Sequence, residues 1–332
     1  DNPRMVSKIN PNEEYRDIIA KLIAVVLLSA RGTVFLYQGQ ELGAVSVNLL
    51  TGLVTGASGE DSLVGIESVI GSRFNDNLVG DSEANELSGG AGNDVLEGGA
   101  GDDTLIGGSG IDLLTGGEGD DVYEVDVAGD VIVEREGEGT DLVNVRLTSG
   151  SYALSEHVEN ATVVSTSSVG IQGNALNNLL TGNAAANTLS GGAGDDTLDG
   201  GLGSDRLIGG LGDDLYRVNT AGDVIVEALG EGKDRVEVAF TASGTYTLSA
   251  NVEDATVVSA ATIAVNLTGN DGSNQLIGHA GRNVLNGGKG DDELVSGGGS
   301  DTVDGGEGGD TLVLEGNRAD YMLTRNATYT ML

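Results

Sequence analysis

One large apolar residue recurs every ninth position over three stretches of the chain, each time in a short run that follows a glycine-rich segment. The first stretch carries Leu78, Leu87, Leu96, Leu105, Leu114 and Tyr123. The second carries Leu180, Leu189, Leu198, Leu207 and Tyr216, and the third Leu276, Leu285, Leu294, Val303 and Leu312. In a three-residue strand only the middle side chain faces inward, because side chains alternate faces. The pattern therefore predicts short strands, each contributing one residue to a core. The six residues before each strand hold the glycines, which permit the positive φ and close backbone approach of a tight turn. Two such units make a coil of about 18 residues, so the turns of repeats n and n+2 stack on the same side.

Sixteen repeats keep this phase. They start at Gly71, Gly80, Gly89, Gly98, Gly107 and Gly116, then at Gly173, Gly182, Gly191, Gly200 and Gly209, and last at Gly269, Gly278, Gly287, Ser296 and Gly305. Residues 98–106 read GGAGDDTLI, the nonapeptide G-G-x-G-x-D-x-U-x with U a large apolar residue. The sixth position supplies a carboxylate at Asp76, Asp94, Asp103, Asp112 and Asp121, at Asp196, Asp205 and Asp214, and at Asp292, Asp301 and Asp310. Stacking n on n+2 brings Asp94 near Asp112, Asp103 near Asp121, Asp196 near Asp214 and Asp292 near Asp310. Bare carboxylates so placed repel one another. A hard cation taking oxygens from carboxylates and from the carbonyls of glycine turns removes the conflict, and such a flexible all-oxygen cage suits Ca²⁺ better than Mg²⁺. These eleven aspartates are the expected metal ligands. Asn85, Asn178, Asn187, Asn274 and Asn283 take the same position without charge, and those that begin the second and third blocks read as weaker-binding caps.

A flexible acidic linker is the ordinary reading of a single GGxGxD, but sixteen in-phase repeats with an apolar eighth residue argue against it. Pairs such as Asp102 and Asp103, or Asp291 and Asp292, resemble catalytic dyads, yet their recurrence at a fixed turn position favours cation ligation. His157 and His279 are the two histidines and lie far apart in sequence, which disfavours a zinc site or a histidine-based triad.

A longer period surrounds the short one. GDVIVEREGEGTDLVNVRL at Gly129 recurs as GDVIVEALGEGKDRVEVAF at Gly222, 93 residues on, and VENATVVS at Val158 recurs as VEDATVVS at Val252. Val143, Val145 and Leu147 alternate with polar residues, as do Val236, Val238 and Phe240, so these spacers are expected to be strands that continue the stack and join the blocks into a rod.

Composition sharpens the boundaries. Glycine contributes 56 residues and aromatics 3%, too few aromatics to fill an ordinary globular core over most of the chain. The net charge is −36, and it is unevenly placed. Residues 1–47 hold five basic and five acidic residues, so the whole surplus lies beyond them. So acidic a surface repels nucleic acids and anionic membranes, and cations are the expected partners. With no Cys there is neither a disulfide framework nor a thiolate metal site. The apolar run at 18–28 is interrupted by Lys21 and is too short to span a bilayer. It is not expected to be a signal peptide either, since the chain starts at Asp1 without a basic leader.

The nonapeptides resemble the hemolysin-type calcium-binding repeats of RTX proteins over about 260 residues. The resemblance implies an extracellular protein, exported unfolded by the type I secretion machinery and folded by calcium outside the cell. GNRADYMLTRN, at Gly316, looks like the start of the C-terminal segment that carries the export signal in such proteins.

The neutral front resembles a different family. DNPRMVSK at Asp1 followed by GTVFLYQGQELG at Gly32 is similar to the late barrel region of alpha-amylase-family glycoside hydrolases, above all alpha-glucosidases and oligo-1,6-glucosidases. The resemblance implies that Asp1 matches the aspartate that orients sugar hydroxyls at the transition state. Residues 17–30 have a helical apolar pattern ended by Arg31 and Gly32, and residues 33–37 read as a buried barrel strand. The Asn-His that precedes this aspartate in the family is not present ahead of Asp1, and Val34 stands where the family has Pro.

The expected fold is all-β, a parallel β-roll or β-helix solenoid in three calcium-binding blocks joined by β spacers, preceded by a short helix-strand remnant of a (β/α)8 barrel. The expected divisions are a partial glycoside-hydrolase segment at 1–47, repeat blocks at 48–125, 173–218 and 269–315, spacers at 126–172 and 219–268, and the start of a C-terminal segment at 316–332. The chain alone is expected to be inactive, since the family's nucleophile and acid lie upstream of the region seen here. A parent enzyme would act on alpha-glucosides, with alpha-glucan or oligosaccharide as its partner. The competing reading is a calcium-stiffened adhesin or surface-layer protein, in which the rod itself is the working part.

Overall fold

The structure is a computed structural model that describes residues 33–35, 44–56 and 59–314. Asp1 and the helix expected at 17–30 lie outside the described residues. The chain divides into two compact units, Asp1–Asn183 and Ala184–Leu332. Among the described residues every regular element is a strand, and no helix is long and apolar enough to cross a membrane.

In the first unit, consecutive strands from Ser68 to Val133 alternate between two parallel sheets, which is what makes the chain coil, and Ser151–Ala153 and Gly170–Gln172 belong to a third. One sheet runs through Ser68–Ile70, Glu86–Ala91, Thr104–Ser109, Val122–Val125, Leu142–Val145, Asn160–Val163 and Leu179–Thr181. The other runs through Asn77–Val79, Val95–Ala100, Leu113–Glu118 and Val131–Val133. Register sets the ninth-position residues directly on one another. Leu87 pairs with Leu105, Leu105 with Tyr123, and Tyr123 with Val143. On the facing sheet Leu78, Leu96, Leu114 and Ile132 form the matching column.

The second unit repeats the arrangement. Thr197–Asp199, Leu215–Val218, Arg235–Val238, Asp254–Val257, Gln275–Ile277, Glu293–Val295 and Thr311–Val313 form one parallel sheet. Thr188–Ala193, Arg206–Leu211 and Val224–Val226 form a second. Gly244–Thr247, Val265–Thr268, Val284–Lys289 and Thr302–Glu307 form a third.

The spacers do continue the stack, since Val143, Val145, Val236 and Val238 are fully buried. Their coils vary in length, with partners 20 residues apart at Tyr123 and Val143, 18 at Val143 and Ala161, and 21 at Ala255 and Leu276, where the nonapeptide coils keep to 18.

Three features differ from the sequence reading. The paired glycines are not confined to turns. In the repeat blocks many strands run six residues, as in VLEGGA at Val95–Ala100, so the first two glycines extend the ladder and Gly99 pairs with Gly117. Gly99 holds φ +121, and a Cβ there would meet the carbonyl oxygen of Asp81, so neighbouring coils approach closer than any side chain allows. Val303 and Leu312 were expected in the core, but Val303 is half-buried and Leu312 is exposed. They sit on the last coil described, with no further described coil stacked on them. At the other end, residues 46–62 do not coil. Ser46–Asn48 pairs in parallel with Asn77–Val79, but Leu53–Gly56 and Gly59–Ser62 add to it antiparallel, making a meander at the edge of the sheet. The strand expected at 33–37 is present at Thr33–Phe35, and it pairs in parallel with Ser68–Ile70, placing it on the solenoid sheet.

Each fully buried leucine stabilises the coil by roughly 1.5–3 kcal/mol relative to exposure. Leu105→Ala, at a wholly buried column position, is expected to cost about 2–5 kcal/mol in denaturant unfolding at saturating calcium. Val95→Ala, on the outer face of the adjacent strand and 42% exposed, is expected to cost less than about 0.5 kcal/mol. Equal costs would contradict the inward column.

Candidate metal centres

The sixth-position carboxylates form ladders along the stacked turns. The backbone N–H of each donates to Oδ1 of the aspartate one coil on. Asp76 donates to Asp94 at 2.7 Å, Asp94 to Asp112 at 2.8 Å, and Asp103 to Asp121 at 2.7 Å. In the second unit Asp196 donates to Asp214 at 2.7 Å, Asp292 to Asp310 at 3.2 Å, and Asn283 to Asp301 at 2.9 Å. The four pairs expected from stacking are therefore adjacent. The turn after each strand holds the aspartate backbone at the sheet edge, and parallel register repeats that placement coil after coil.

Seven of these carboxylates are used on one side only. Oδ1 serves the ladder, whereas Oδ2 of Asp94, Asp103, Asp112, Asp121, Asp205, Asp214 and Asp292 is buried without a hydrogen-bond partner. An unmatched buried carboxylate oxygen is costly. The first glycine of the repeat lies against it. A Cβ on Gly98 would press on Asp103 Oδ2 and come within 2.8 Å of the Gly116 carbonyl oxygen. Gly287 repeats the geometry with Asp292 Oδ2 and the Gly305 carbonyl. A carboxylate oxygen and a carbonyl oxygen thus come close together against a glycine, an approach that any side chain would block. That donor set fits a hard cation, and Ca²⁺ in particular, which accepts six to eight oxygens in irregular geometry.

Some predicted residues stand apart. Asp76 accepts from Val45 N–H at 2.7 Å and Ser72 Oγ at 3.0 Å through Oδ1, and from Ser72 N–H through Oδ2, so both its oxygens are engaged within the protein. Asp301 is half-buried and Asp310 exposed, on the last coil described. Two of the asparagines are satisfied within the protein. Asn178 and Asn274 accept from Asn174 and Asn270 N–H through Oδ1, while their amide nitrogens donate to carbonyls of the preceding coil, Val158 and Glu159 or Val252 and Glu253. An amide brings its own donor and so needs no cation there.

The ladders also run on into the spacers, through residues the nonapeptide pattern does not reach. Asp112 donates to Asp130, Asp121 to Asp141, and Asp141 to Glu159, at 3.1, 2.9 and 2.9 Å. The second unit repeats this with Asp205 to Asp223, Asp214 to Asp234, and Asp234 to Glu253. The one sequence signal for them is the 93-residue repeat, which places each at the same point of both spacers.

Burial, with like charges nearby, pushes the carboxyl groups above their ordinary range. Asp103, Asp112 and Asp205 rise to about 6, Asp214, Asp141 and Asp234 to about 7, and Asp121 to about 8. Desolvation is the largest cause in each, and the backbone N–H bonds to Oδ1 oppose it. The ion pairs of Arg146 with Glu124 and Lys233 with Asp254 lie on the outer, more exposed surface.

Comparison with known proteins agrees with this geometry. The profile of the RTX calcium-binding nonapeptide repeat matches residues 70–105, 97–132, 172–207, 181–216, 268–303 and 278–312. Short stretches also match sugar hydrolases. The palatinase of Erwinia rhapontici is 46% identical over 48 residues, covering 14% of this chain and 9% of that protein. The oligo-1,6-glucosidase of Halalkalibacterium halodurans is 43% identical over 47 residues, or 14% and 8%. The trehalose-6-phosphate hydrolase of Escherichia coli is 46% identical over 43 residues, or 13% and 8%. The chain spans less than a tenth of the length of the curated relatives it matches.

Proposed function

We propose that this chain, which carries RTX calcium-binding nonapeptide repeats in three stretches, is the calcium-binding region of a secreted bacterial protein and folds on meeting calcium outside the cell. The observation that carries the reading is the row of buried Oδ2 atoms without partners, each packed against the first glycine of its repeat. In this reading Asp94, Asp103, Asp112, Asp121, Asp196, Asp205, Asp214 and Asp292 hold Ca²⁺ together with glycine carbonyls, with Asp76, Asp301 and Asp310 at the stack ends. Three blocks, at 48–125, 173–218 and 269–315, alternate with spacers. Calcium supplies the positive charge that a chain of net charge −36 lacks. Without it the stacked carboxylates repel and are desolvated. With it each occupied site adds stability as RT ln(1 + [Ca]/Kd), about 2.7 kcal/mol at a hundred times Kd. Such a chain stays unfolded in low calcium, the state that a type I channel exports.

The ligand assignment is tested by Asp103→Ala. The calcium midpoint of folding, followed by circular dichroism, is expected to rise several-fold. An unchanged midpoint removes Asp103 from the ligand set.

The parent protein is an alpha-glucosidase-like glycoside hydrolase in the same reading. The supporting observation is the identity of 43–46% over 43–48 residues to enzymes of that kind, together with the motifs at Asp1 and Gly32. Asp1 would be the residue that orients sugar hydroxyls. A retaining glycosidase needs two carboxylates flanking the scissile bond, and the matches cover too little of the relatives to supply a barrel. The chain alone is therefore expected not to hydrolyse a chromogenic alpha-glucoside. Turnover by the purified chain would contradict this.

A further inference from the structure

Where a nonapeptide stack gives way to a spacer, the structure holds a differently built cluster. Asp121, Glu134 and Asp141 in the first unit each place one carboxylate oxygen within 4.8 Å of the others, and Asp214, Glu227 and Asp234 do the same in the second. All six side chains are buried. Neither glutamate belongs to the nonapeptide pattern. Each lies 18 residues after the first glycine of the last repeat, the point where another repeat would begin with glycine.

The glutamates are held in a defined way. Oε1 of Glu134 accepts from Gly116 N–H at 3.1 Å and from the hydroxyl of Tyr123. Oε1 of Glu227 accepts from Gly209 N–H at 3.0 Å and from the hydroxyl of Tyr216. Those two tyrosines take the eighth position of the last repeat in their blocks, where the preceding repeats have leucine. Burial and the adjoining glutamate hold both hydroxyls protonated, so they act as donors. Oε1 is thereby fully engaged. Oε2 of each glutamate has no partner, and neither has Oδ2 of Asp121 or Asp214. Glu134 is 6% exposed, Glu227 8%, and both aspartates 1%. A Cβ on Gly116 or Gly209 would strike the aspartate Oδ2 and the tyrosine hydroxyl, so only glycine lets these groups approach so closely.

A capping role, in which the glutamate only closes the last coil, accounts for Oε1. It does not account for Oε2, because a neutral glutamine would make the same two contacts without setting a second anion beside Asp121. Two unmatched carboxylate oxygens, buried together and duplicated 93 residues apart, are relieved either by a proton or by a cation held between them.

We propose that each of these clusters is a divalent-cation site of its own construction, which takes Asp121 or Asp214 as a ligand in place of a standard repeat site and binds calcium under the conditions that load the other repeats. It is built from side-chain carboxylates of the last repeat and the spacer, where the repeat sites combine an aspartate with glycine carbonyls. The inference rests on the calcium-binding reading of the chain but fails independently of it. More carboxylate charge per site raises affinity for calcium. These two sites therefore fill first, and folding of each stack starts from its spacer end.

The test uses the full chain and the double variant Glu134→Gln/Glu227→Gln, which keeps an acceptor for the glycine N–H and tyrosine hydroxyl while removing the charge. Bound calcium is counted by equilibrium dialysis below the folding midpoint and at saturation. The variant is expected to bind two fewer ions than the native chain at low calcium, one for each cluster, and to reach a native circular dichroism spectrum at saturation. Terbium bound beside Tyr123 and Tyr216 is expected to show tyrosine-sensitised emission at low loading. That emission should be lost in the glutamine variant and largely lost in Tyr123→Phe/Tyr216→Phe, which still binds the ion. Should the glutamine variant not fold, the phenylalanine variant decides: retained emission overturns the sites and lost emission with full calcium binding supports them. Equal stoichiometry in the native and glutamine chains overturns the two sites and leaves the repeat sites standing, whereas failure of the native chain to bind any calcium removes the functional reading itself.

Discussion

Gly98→Ala is expected to abolish one repeat site and raise the calcium midpoint of folding several-fold. Gly98 does not hold a positive φ, so alanine is acceptable to its backbone and the effect comes from space alone. The added methyl would collide with Asp103 Oδ2 and sit 2.8 Å from the Gly116 carbonyl oxygen, so it displaces both of the oxygens proposed to hold the cation. Loss of a site held at a hundred times its Kd removes about 2.7 kcal/mol of folding free energy. Gly137→Ala provides the contrast. Gly137 holds φ +80 with nothing within 4 Å of its added Cβ, so the substitution costs about 1 kcal/mol of backbone strain and leaves the calcium sites as they were. Circular dichroism at graded free calcium checks both. A larger midpoint shift for Gly137→Ala than for Gly98→Ala would show that the space beside Asp103 does not hold the ion.

Acidification is expected to have opposite effects with and without calcium. In chelator the folded carboxyl groups have pKa values above their ordinary range, from about 6 at Asp103 and Asp112 to about 8 at Asp121. A group with a raised folded pKa binds more protons folded than unfolded. Its stabilising contribution is complete below the unfolded value near 4 and is lost as pH rises through the folded value. The metal-free chain should therefore gain β structure as pH falls from about 8 to about 5, because protons neutralise the ladders in place of calcium. With calcium present at a fixed subsaturating level, the same protons compete for the ligands, and the number of bound ions falls. Spectra recorded in chelator across this range, with calcium counted in parallel, test the pair. Loss of structure on mild acidification in chelator would contradict the burial and crowding of the carboxylates.

The column of Leu78, Leu96 and Leu114 was legible because a nine-residue period leaves one inward position per strand, and parallel register turns that period into direct contact. The aspartate ladder was legible for the same reason. Asp130, Glu134 and Asp141 were not, since they lie past the last nonapeptide, Asp141 on a coil of 20 residues, and the 93-residue repeat marked their positions without revealing their chemistry. The strand placement of Gly99 was hidden by the habit of paired glycines to form turns; here close contact between coil backbones, with Asp81 carbonyl where a Cβ would be, outweighs it. Val303 and Leu312 show the limit of periodicity, which sets the direction of a side chain but not whether another coil covers it. The strand at Thr33–Phe35 was legible, but its pairing with Ser68–Ile70 depends on a contact far along the chain that no local pattern encodes.

The central claim is that calcium is the counter-ion that lets these carboxylate turns stack. Its most direct test is a calcium titration of the chelator-treated chain at neutral pH, followed by far-ultraviolet circular dichroism. A cooperative change from a disordered to a β spectrum, reversed by chelator, is the predicted result. A spectrum that is the same in chelator and in saturating calcium, whether folded or disordered, would contradict it.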